Sequence, residues 1–235
     1  MLFALRFFLL LSFLAVLVIE GAALVQRHRQ DLPWTQLDLS AAPGRFTAAK
    51  IAELGSDPPR CRALLAQAGN RSQPAPSRRP SETCGYEDGT LLSLDIAPAP
   101  AGLVTSCPVA AALELWERQV QADARNILGT RVRRFVHAGS YSCRRLYNRA
   151  DGPFSEHATA DAVDILSFEL DDGRRLSVLR DWRGGSAESR FLKAARDAGC
   201  QVFTTVLSPD YNDAHRDHLH FDTADQGSAG WRACR

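Results

Sequence analysis

The sequence lacks an excess of charge of either sign. Its 28 lysine and arginine residues nearly balance 27 aspartate and glutamate residues, leaving a formal net charge of +1 at pH 7. Nucleic-acid-binding domains usually carry clustered positive charge that neutralises phosphates. The composition therefore gives no electrostatic argument for a nucleic-acid partner. The 235 residues, 45% of them hydrophobic, are enough for a sizeable core.

The sequence also lacks any C-x-x-C pair, which argues against a structural zinc site and against a dithiol redox motif. Its six cysteines are dispersed behind an apolar N-terminal segment. An even number of dispersed cysteines in an exported chain is typical of disulfide bonds formed in an oxidising compartment. Six cysteines allow many pairings, and the sequence does not choose among them. For Cys234 alone we expect a specific role, which is to tie down the C-terminus through its disulfide bond.

The N-terminal segment, residues 7–25, is apolar apart from Ser12 and Glu20. It is either a membrane anchor or a signal peptide, for which residues 21–23 (GAA) offer a small-residue cleavage site. Its length favours the anchor. Together with the cysteines, it predicts a periplasmic protein held in the inner membrane by residues 7–25, or a secreted one if the segment is cleaved.

No regular β-α-β alternation crosses the sequence, so a doubly wound parallel fold is not expected. Apolar residues recur three and four apart from Cys107 to Leu128 and predict the strongest helix, closed by Gly129. A further helix is expected from Ser186 to Gly199. Shorter helices and strands are predicted at residues 47–54 and 58–69 (helices) and 91–94, 131–140, 163–170, 176–182, 202–207 and 218–222 (strands).

These elements predict an α+β class with a small antiparallel sheet, flanking helices and disulfide bonds. The chain divides into an N-terminal anchor or signal segment (1–25), a polar connector (26–56) and one domain (57–235).

Two short stretches, residues 155–164 and 215–222, hold four of the six histidines. If the second stretch is a strand, alternation places His218, His220 and Asp222 on one face. Leu219 and Phe221 then point into a core. The alternative to a shared site is that these histidines are unrelated surface residues on a solvent-exposed strand edge.

The residue types in these stretches suit a catalytic zinc site, which typically has three protein ligands and an open position for water. The candidate ligands are His157, Asp164 and His220. His218 could act as general base or donate to a developing oxyanion. Bound zinc lowers the pKa of its water to about 7 and so supplies the nucleophile. Asp222 is placed to orient one of the histidines.

Several separate motifs spread over most of the chain. They are residues 37–39 (LDL), 84–86 (CGY), 107–110 (CPVA), 139–144 (GSYSCR), 155–157 (SEH), 162–165 (AVDI), 203–209 (FTTVLSP), 211–212 (YN) and 215–222 (HRDHLHFD). By these motifs the chain resembles the bacterial extensin-like C-terminal domain family. That family is similar in its metal motifs to zinc D-alanyl-D-alanine peptidases and murein endopeptidases of the hedgehog/DD-peptidase fold. The resemblance implies that fold, bound Zn²⁺ and cleavage of peptidoglycan stem peptides.

The resemblance assigns the same three residues to zinc and His218 to the catalytic base. Arg144 matches an arginine that steadies the substrate carbonyl in those peptidases. His215 matches their outer histidine approximately, because the loop before His218 differs. Glu156 and Asp161, which lie in the first stretch, drop out of the ligand set.

Two other functions compete with a zinc-dependent peptidase-like domain of carboxypeptidase or endopeptidase type. Two histidines and a carboxylate also describe a ferrous facial triad. In such triads a histidine and the carboxylate are usually about two residues apart, whereas His157 and Asp164 are seven apart. The second alternative is a non-catalytic cell-wall binding or scaffolding module that keeps the metal for stability.

Overall fold

The structure is a computed structural model that describes residues 2–224 and 232–235. Its helices are α1 (Leu2–Arg27), α2 (Thr47–Ala52), α3 (Pro58–Gln67), α4 (Cys107–Asp123), α5 (Val178–Asp181) and α6 (Ala187–Val202). Its strands are β1 (Gln73–Pro74), β2 (Thr90–Leu91), β3 (Ala97–Ala99), β4 (Val104–Thr105), β5 (Val132–Gly139), β6 (Ala162–Leu170), β7 (Arg175–Ser177), β8 (Thr205–Leu207), β9 (Leu219–Asp222) and β10 (Ala233–Cys234). Single turns of 3-10 helix cover Arg29–Asp31, Glu53–Ser56, Leu146–Asn148, Glu156–Thr159 and Asp213–His215, and a π-helical turn covers Ala124–Leu128.

The larger sheet has the order β10-β8-β9-β6-β5-β3 in the described residues, with β7 also paired to β6. Its central strands are antiparallel, whereas β3 pairs with β5, and β10 with β8, in parallel. A smaller sheet has the order β1-β2-β4. The predicted mixture of helices with a small antiparallel sheet and disulfide bonds is therefore confirmed, and the edge strands β3 and β10 add two parallel pairings.

The core is centred on Trp116 of α4, whose indole packs against aromatic rings from three strands. Its ring centroid lies 6.0 Å from those of Phe135 and Phe168 and 5.6 Å from that of Phe221. The indole nitrogen donates a hydrogen bond of 2.9 Å to the carbonyl of Ala195 in α6. This contact ties α6 to α4 over one face of the sheet.

Several predicted elements have different ends in the structure: the strand expected at 91–94 is Thr90–Leu91, and the one expected at 202–207 begins at Thr205. The strand expected at 176–182 stops at Ser177, because its backbone N–H donates to the Asp181 carboxylate (2.7 Å) and the chain turns into α5. The helix expected to stop at Gly199 continues to Val202. A Cβ at Gly199 would lie 2.8 Å from the Phe221 ring, so this glycine allows close packing and does not end the helix.

Three disulfide bonds join all six cysteines, as Cys61–Cys107, Cys84–Cys143 and Cys200–Cys234. The first connects α3 to the start of α4, and the third connects α6 to β10. The prediction that Cys234 ties down the C-terminus is confirmed. The second crosses from the loop before β2 to the segment after β5, close to Arg144.

The N-terminal helix α1 is apolar and exposed. Its segment Leu5–Arg27 is long and apolar enough to be a signal anchor or a membrane span. The chain after it contacts the folded domain directly. The Lys50 ammonium donates hydrogen bonds to the carbonyl of Arg29 (2.7 Å) and to the hydroxyl of Thr35 (2.9 Å). Leu39 and Ile51 are buried in the core. The division of the chain at residue 57 stays a prediction.

We expect Gly199→Ala to destabilise the protein, although alanine is favoured over glycine in a helix by about 1 kcal/mol. The added methyl group would overlap the Phe221 ring, and overpacking of this kind costs about 1–3 kcal/mol. The midpoint of thermal unfolding of the full-length protein in detergent should fall by a few degrees. Gly185→Ala is the control, because a Cβ there meets open space. Equal midpoints for the two variants would contradict the packing role of Gly199.

Candidate metal centre

The three predicted ligands come from three neighbouring elements. His157 lies in the 3-10 turn Glu156–Thr159, which precedes β6, while Asp164 is in β6 and His220 is in β9. Asp164 and His220 are directly opposite each other in the antiparallel β6–β9 pair. Directly opposite residues project to the same face of a sheet. The neighbours of His220 in β9, Leu219 and Phe221, are fully buried on the other face, as the alternation predicts.

The donor atoms of these three residues converge. His157 Nε2 lies 3.2 Å from Asp164 Oδ2, and His220 Nδ1 lies 2.9 Å from Asp164 Oδ1. The two imidazole nitrogens are 3.3 Å apart. All three side chains are almost completely inaccessible to solvent. One atom from each could therefore bind a single ion between them.

The outer nitrogen of each imidazole already has an acceptor. His157 Nδ1 donates to the carbonyl oxygen of Ser140 (2.7 Å), which can only accept. His220 Nε2 donates to the Asp222 carboxylate at 3.0 Å, the orienting contact predicted for Asp222. In neutral rings these bonds leave the lone pairs of His157 Nε2 and His220 Nδ1 pointing at each other and at a carboxylate. Such an arrangement suits a cation, or a proton in its place.

The site forms the wall of a cavity of about 400 Å³. All six residues predicted for the site border this cavity: His157, Asp164, His220, His218, His215 and Arg144. The guanidinium of Arg144 makes no hydrogen bond or ion pair with residues 2–224 or 232–235 of the structure. The structure therefore brings together all six residues that were predicted from the sequence for the site.

The family model described as extensin-like protein C-terminus matches residues 59–235. This chain belongs to that family. No curated protein and no solved structure matches it. The family predicted from the motifs is thus confirmed, whereas its relation to zinc peptidases of the hedgehog/DD-peptidase fold stays a prediction.

Electrostatics in the extensin-like domain favour a charged centre. Burial opposes a charge on His220, but hydrogen bonds and charges from Asp164 and Asp222 outweigh burial and raise the pKa of His220 to about 9. Burial would raise the pKa of Asp164, yet hydrogen bonds from His157 and His220 hold that pKa far below its usual range. Positive charge is therefore stabilised between these residues at neutral pH.

The two other histidines that border the cavity, His218 and His215, are oriented by residues outside the ligand set. His218 Nδ1 donates to the Asp217 carboxylate (2.9 Å), so that its Nε2 is directed to the site, 3.6 Å from Asp164 Oδ1. His215 Nδ1 donates to the side-chain oxygen of Asn212 (2.7 Å). Burial, followed by the charges of His218 and His220, lowers the pKa of His215 to about 4, and its ring is therefore neutral at pH 7.

Three of these orienting groups were not found from the sequence. Asp217 is adjacent to His218 in the chain, and this adjacency could have revealed it. Asn212 was noted only within a motif. The Ser140 carbonyl is a backbone atom and leaves no signal in the sequence. Glu156, which was set aside, borders the cavity, and burial followed by the charges of Asp222 and Asp161 raises its pKa to about 7.

A second group of potential ligand atoms comes from Asp197, Cys200 and Cys234. The two cysteines form a disulfide bond and therefore offer no thiolate. This group does not constitute a metal centre.

We expect the metal-free protein to lose stability as pH rises from about 6.5 through about 9. The pKa of His220 in the folded state is above the ordinary value of a histidine. The contribution of His220 to stability is therefore fully present below that ordinary pKa, and it is lost as the pH rises through the raised pKa. The thermal unfolding midpoint of full-length protein, measured with a chelator across this range, should fall more in wild type than in His220→Gln. His28→Gln, at an exposed histidine, should follow wild type. Parallel curves for wild type and His220→Gln would contradict the assignment.

Proposed function

We propose that the domain is a zinc-dependent peptidase of the cell envelope that hydrolyses peptidoglycan stem peptides. One observation carries the proposal. Two imidazole nitrogens and a carboxylate converge at a cavity wall, each imidazole has its other nitrogen already bonded, and His218 faces the same cavity. A merely structural cluster would not require an accessible histidine and, beside it, an arginine that has no partner among the residues the structure describes.

The residues fit zinc better than calcium or magnesium. Two nitrogens and one carboxylate form the ligand set of many catalytic zinc sites, while calcium and magnesium prefer oxygen ligands alone. His157 Nε2, the Asp164 carboxylate and His220 Nδ1 would hold the ion. Zinc, when bound, polarises a carbonyl and brings the pKa of a coordinated water to about 7. Three protein ligands leave a position open for that chemistry.

The chain's own residues have distinct roles in this mechanism. Asp222 and Ser140 fix the orientation and tautomer of the two ligand imidazoles. Asp217 holds the proton on His218 Nδ1, which leaves Nε2 free to accept a proton as general base. Arg144 offers hydrogen-bond donors to the oxygen of a substrate carbonyl.

His215 contributes shape to the cavity. Its imidazole centroid is 5.1 Å from that of His218 and 5.9 Å from that of His220. Because it is neutral and bonded to Asn212, it packs beside the proposed base without adding a charge that would repel a cation.

The proposed substrate class follows from the expected compartment of the protein and from its resemblance to zinc peptidases of the cell wall. The three disulfide bonds are typical of an oxidising compartment, and the apolar helix α1 would hold the domain at the periplasmic face of the inner membrane. His157, Asp164, His220 and His218 resemble the metal ligands and the catalytic base of zinc D-alanyl-D-alanine peptidases and murein endopeptidases. Peptidoglycan is the polymer of that compartment whose peptides such enzymes cleave.

A second function, a non-catalytic cell-wall binding module, is favoured by one observation. The ligands connect β6, β9 and the preceding 3-10 turn, so a bound ion would stabilise the fold whether or not a bond is cut. His218 separates the two functions, because a metal kept only for stability needs no base.

We expect the purified full-length protein to contain about one zinc ion per chain, since the three ligands define one site. His157→Ala and His220→Ala should each lose most of the zinc, as measured by atomic emission on protein dialysed against metal-free buffer. His28→Ala is the matched control and should retain it. Iron in place of zinc, or unchanged zinc in both ligand variants, would show that the site is assigned incorrectly.

We expect the wild-type protein to release soluble peptides from purified sacculi, and His218→Ala to do so about 10²–10⁴ times more slowly, the usual contribution of a general base. Chromatography of the released muropeptides measures both. The zinc content of His218→Ala should remain at the wild-type level, because His218 is not a ligand. Identical products and rates for the two proteins would leave the binding module as the function.

A further inference from the structure

The sheet is interrupted close to the metal centre. On one edge β6 pairs with β9 through residues 162–165, and farther along the same strand it pairs with β7 through residues 167–169. Leu166 lies between the two pairings, and the register of β6 against β5 also shifts at this residue. A bulge of this kind bends β6 locally, between the part that pairs with β9 and the part that pairs with β7.

A cleft of about 460 Å³ opens at this interruption. Leu166 and Leu179 form its apolar part, and Arg175 and Arg180 border it. It reaches Asp217, the residue that orients His218.

The cleft carries unbalanced positive charge. Arg175 donates a hydrogen bond of 3.3 Å to the Ser167 hydroxyl, and neither Arg175 nor Arg180 has an acidic partner in the part of the chain that the structure describes. Asp217, the one acid among the lining residues, already accepts a hydrogen bond from His218.

Neighbouring charges outside the cleft are paired with other residues. Glu169 is opposite Arg175 in the β6–β7 pairing, but its carboxylate lies 3.5 Å from Arg133 and 3.6 Å from Arg134. Arg174, next in the chain, is paired with Asp172 and Glu188. The two cleft arginines therefore differ from Arg174 in forming no ion pair within residues 2–224 and 232–235, and they outnumber Asp217, the one acid that lines the cleft.

The cleft lies next to the metal-centre cavity: Asp217 borders the cleft, and its neighbour His218 borders the cavity. Leu166 is two residues beyond the predicted ligand Asp164 in β6, a distance of roughly 7 Å along a strand. A peptide presented to the metal centre would therefore reach the cleft within about two residues.

We propose that this cleft is a substrate subsite that binds a carboxylate group of the peptide. The inference rests on the proposed function and adds a substrate class to it, peptides that carry a free acid near the bond being cut. Guanidinium groups form paired, charge-assisted hydrogen bonds with carboxylates, and two of them in one cleft favour that group over a neutral amide. Leu166 and Leu179 would contact the aliphatic part of the acidic residue.

Three synthetic stem pentapeptides ending in D-alanyl-D-alanine test the subsite. One carries free carboxylates at its glutamate and its C-terminus, the second is amidated at the glutamate, and the third is amidated at the C-terminus. Their affinities are measured by calorimetry with the full-length protein in detergent. A His218→Gln background, whose side-chain amide can still donate to Asp217, prevents turnover during the titration.

In this background one of the two amidations should weaken binding about tenfold, the effect of losing a charge-assisted contact. Adding Arg175→Gln and Arg180→Gln should reduce that penalty to about twofold or less. Adding Arg60→Gln and Arg183→Gln, which removes the same charge from exposed positions away from the cleft, should leave the penalty unchanged. The preference should also weaken at high salt.

The subsite is overturned if both double variants show the same amidation penalties, or if no peptide binds. The protein could instead hold no zinc and cut no peptide, yet still prefer the free acid in a way that depends on the two arginines. That result would overturn the proposed peptidase function and would support the subsite. The two failures are therefore distinguishable.

Discussion

The register of β6 against β9 is the constraint on which the rest of the site depends. It places Asp164 opposite His220, so that both side chains project to one face. A slip of one residue would turn His220 into the core and expose Phe221. The register is held from the opposite face, where Phe221 packs against Trp116 of α4 and against Gly199 of α6. Hydrophobic packing on one side of the sheet thereby fixes the positions of the polar side chains on the other side.

The polar face is arranged so that each imidazole has one occupied and one available nitrogen. Ser140 and Asp222 take the outer hydrogens of His157 and His220, and Asp217 does the same for His218. The carboxylate of Asp164 then stabilises positive charge at the point of convergence. Burial strengthens these interactions, because water competes less with them. The loops that carry Arg144 and His218 complete the cavity, and the Cys84–Cys143 bond fastens the first of these loops beside its arginine.

Features that depend on local periodicity could be predicted from the sequence. The alternation of β9 assigned His220 and Phe221 to opposite faces, and the three-and-four spacing of α4 located the main helix. Features that depend on distant partners could not. The end of α6 was misplaced because the role of Gly199 is set by Phe221 on another strand, and Ser177 leaves the sheet because of a contact with Asp181. The disulfide pairing required the fold itself, and the cleft beside Leu166 exists only because β6 changes partners there.

The most direct measurement is anomalous X-ray scattering at the zinc edge from crystals of the protein. We expect one peak about 2 Å from His157 Nε2, His220 Nδ1 and an oxygen of Asp164. We expect no peak at Asp197, where both neighbouring cysteines are in a disulfide bond. Absence of a peak between the three ligands, or a metal bound through Asp222 and His220 Nε2, would contradict this assignment of the site.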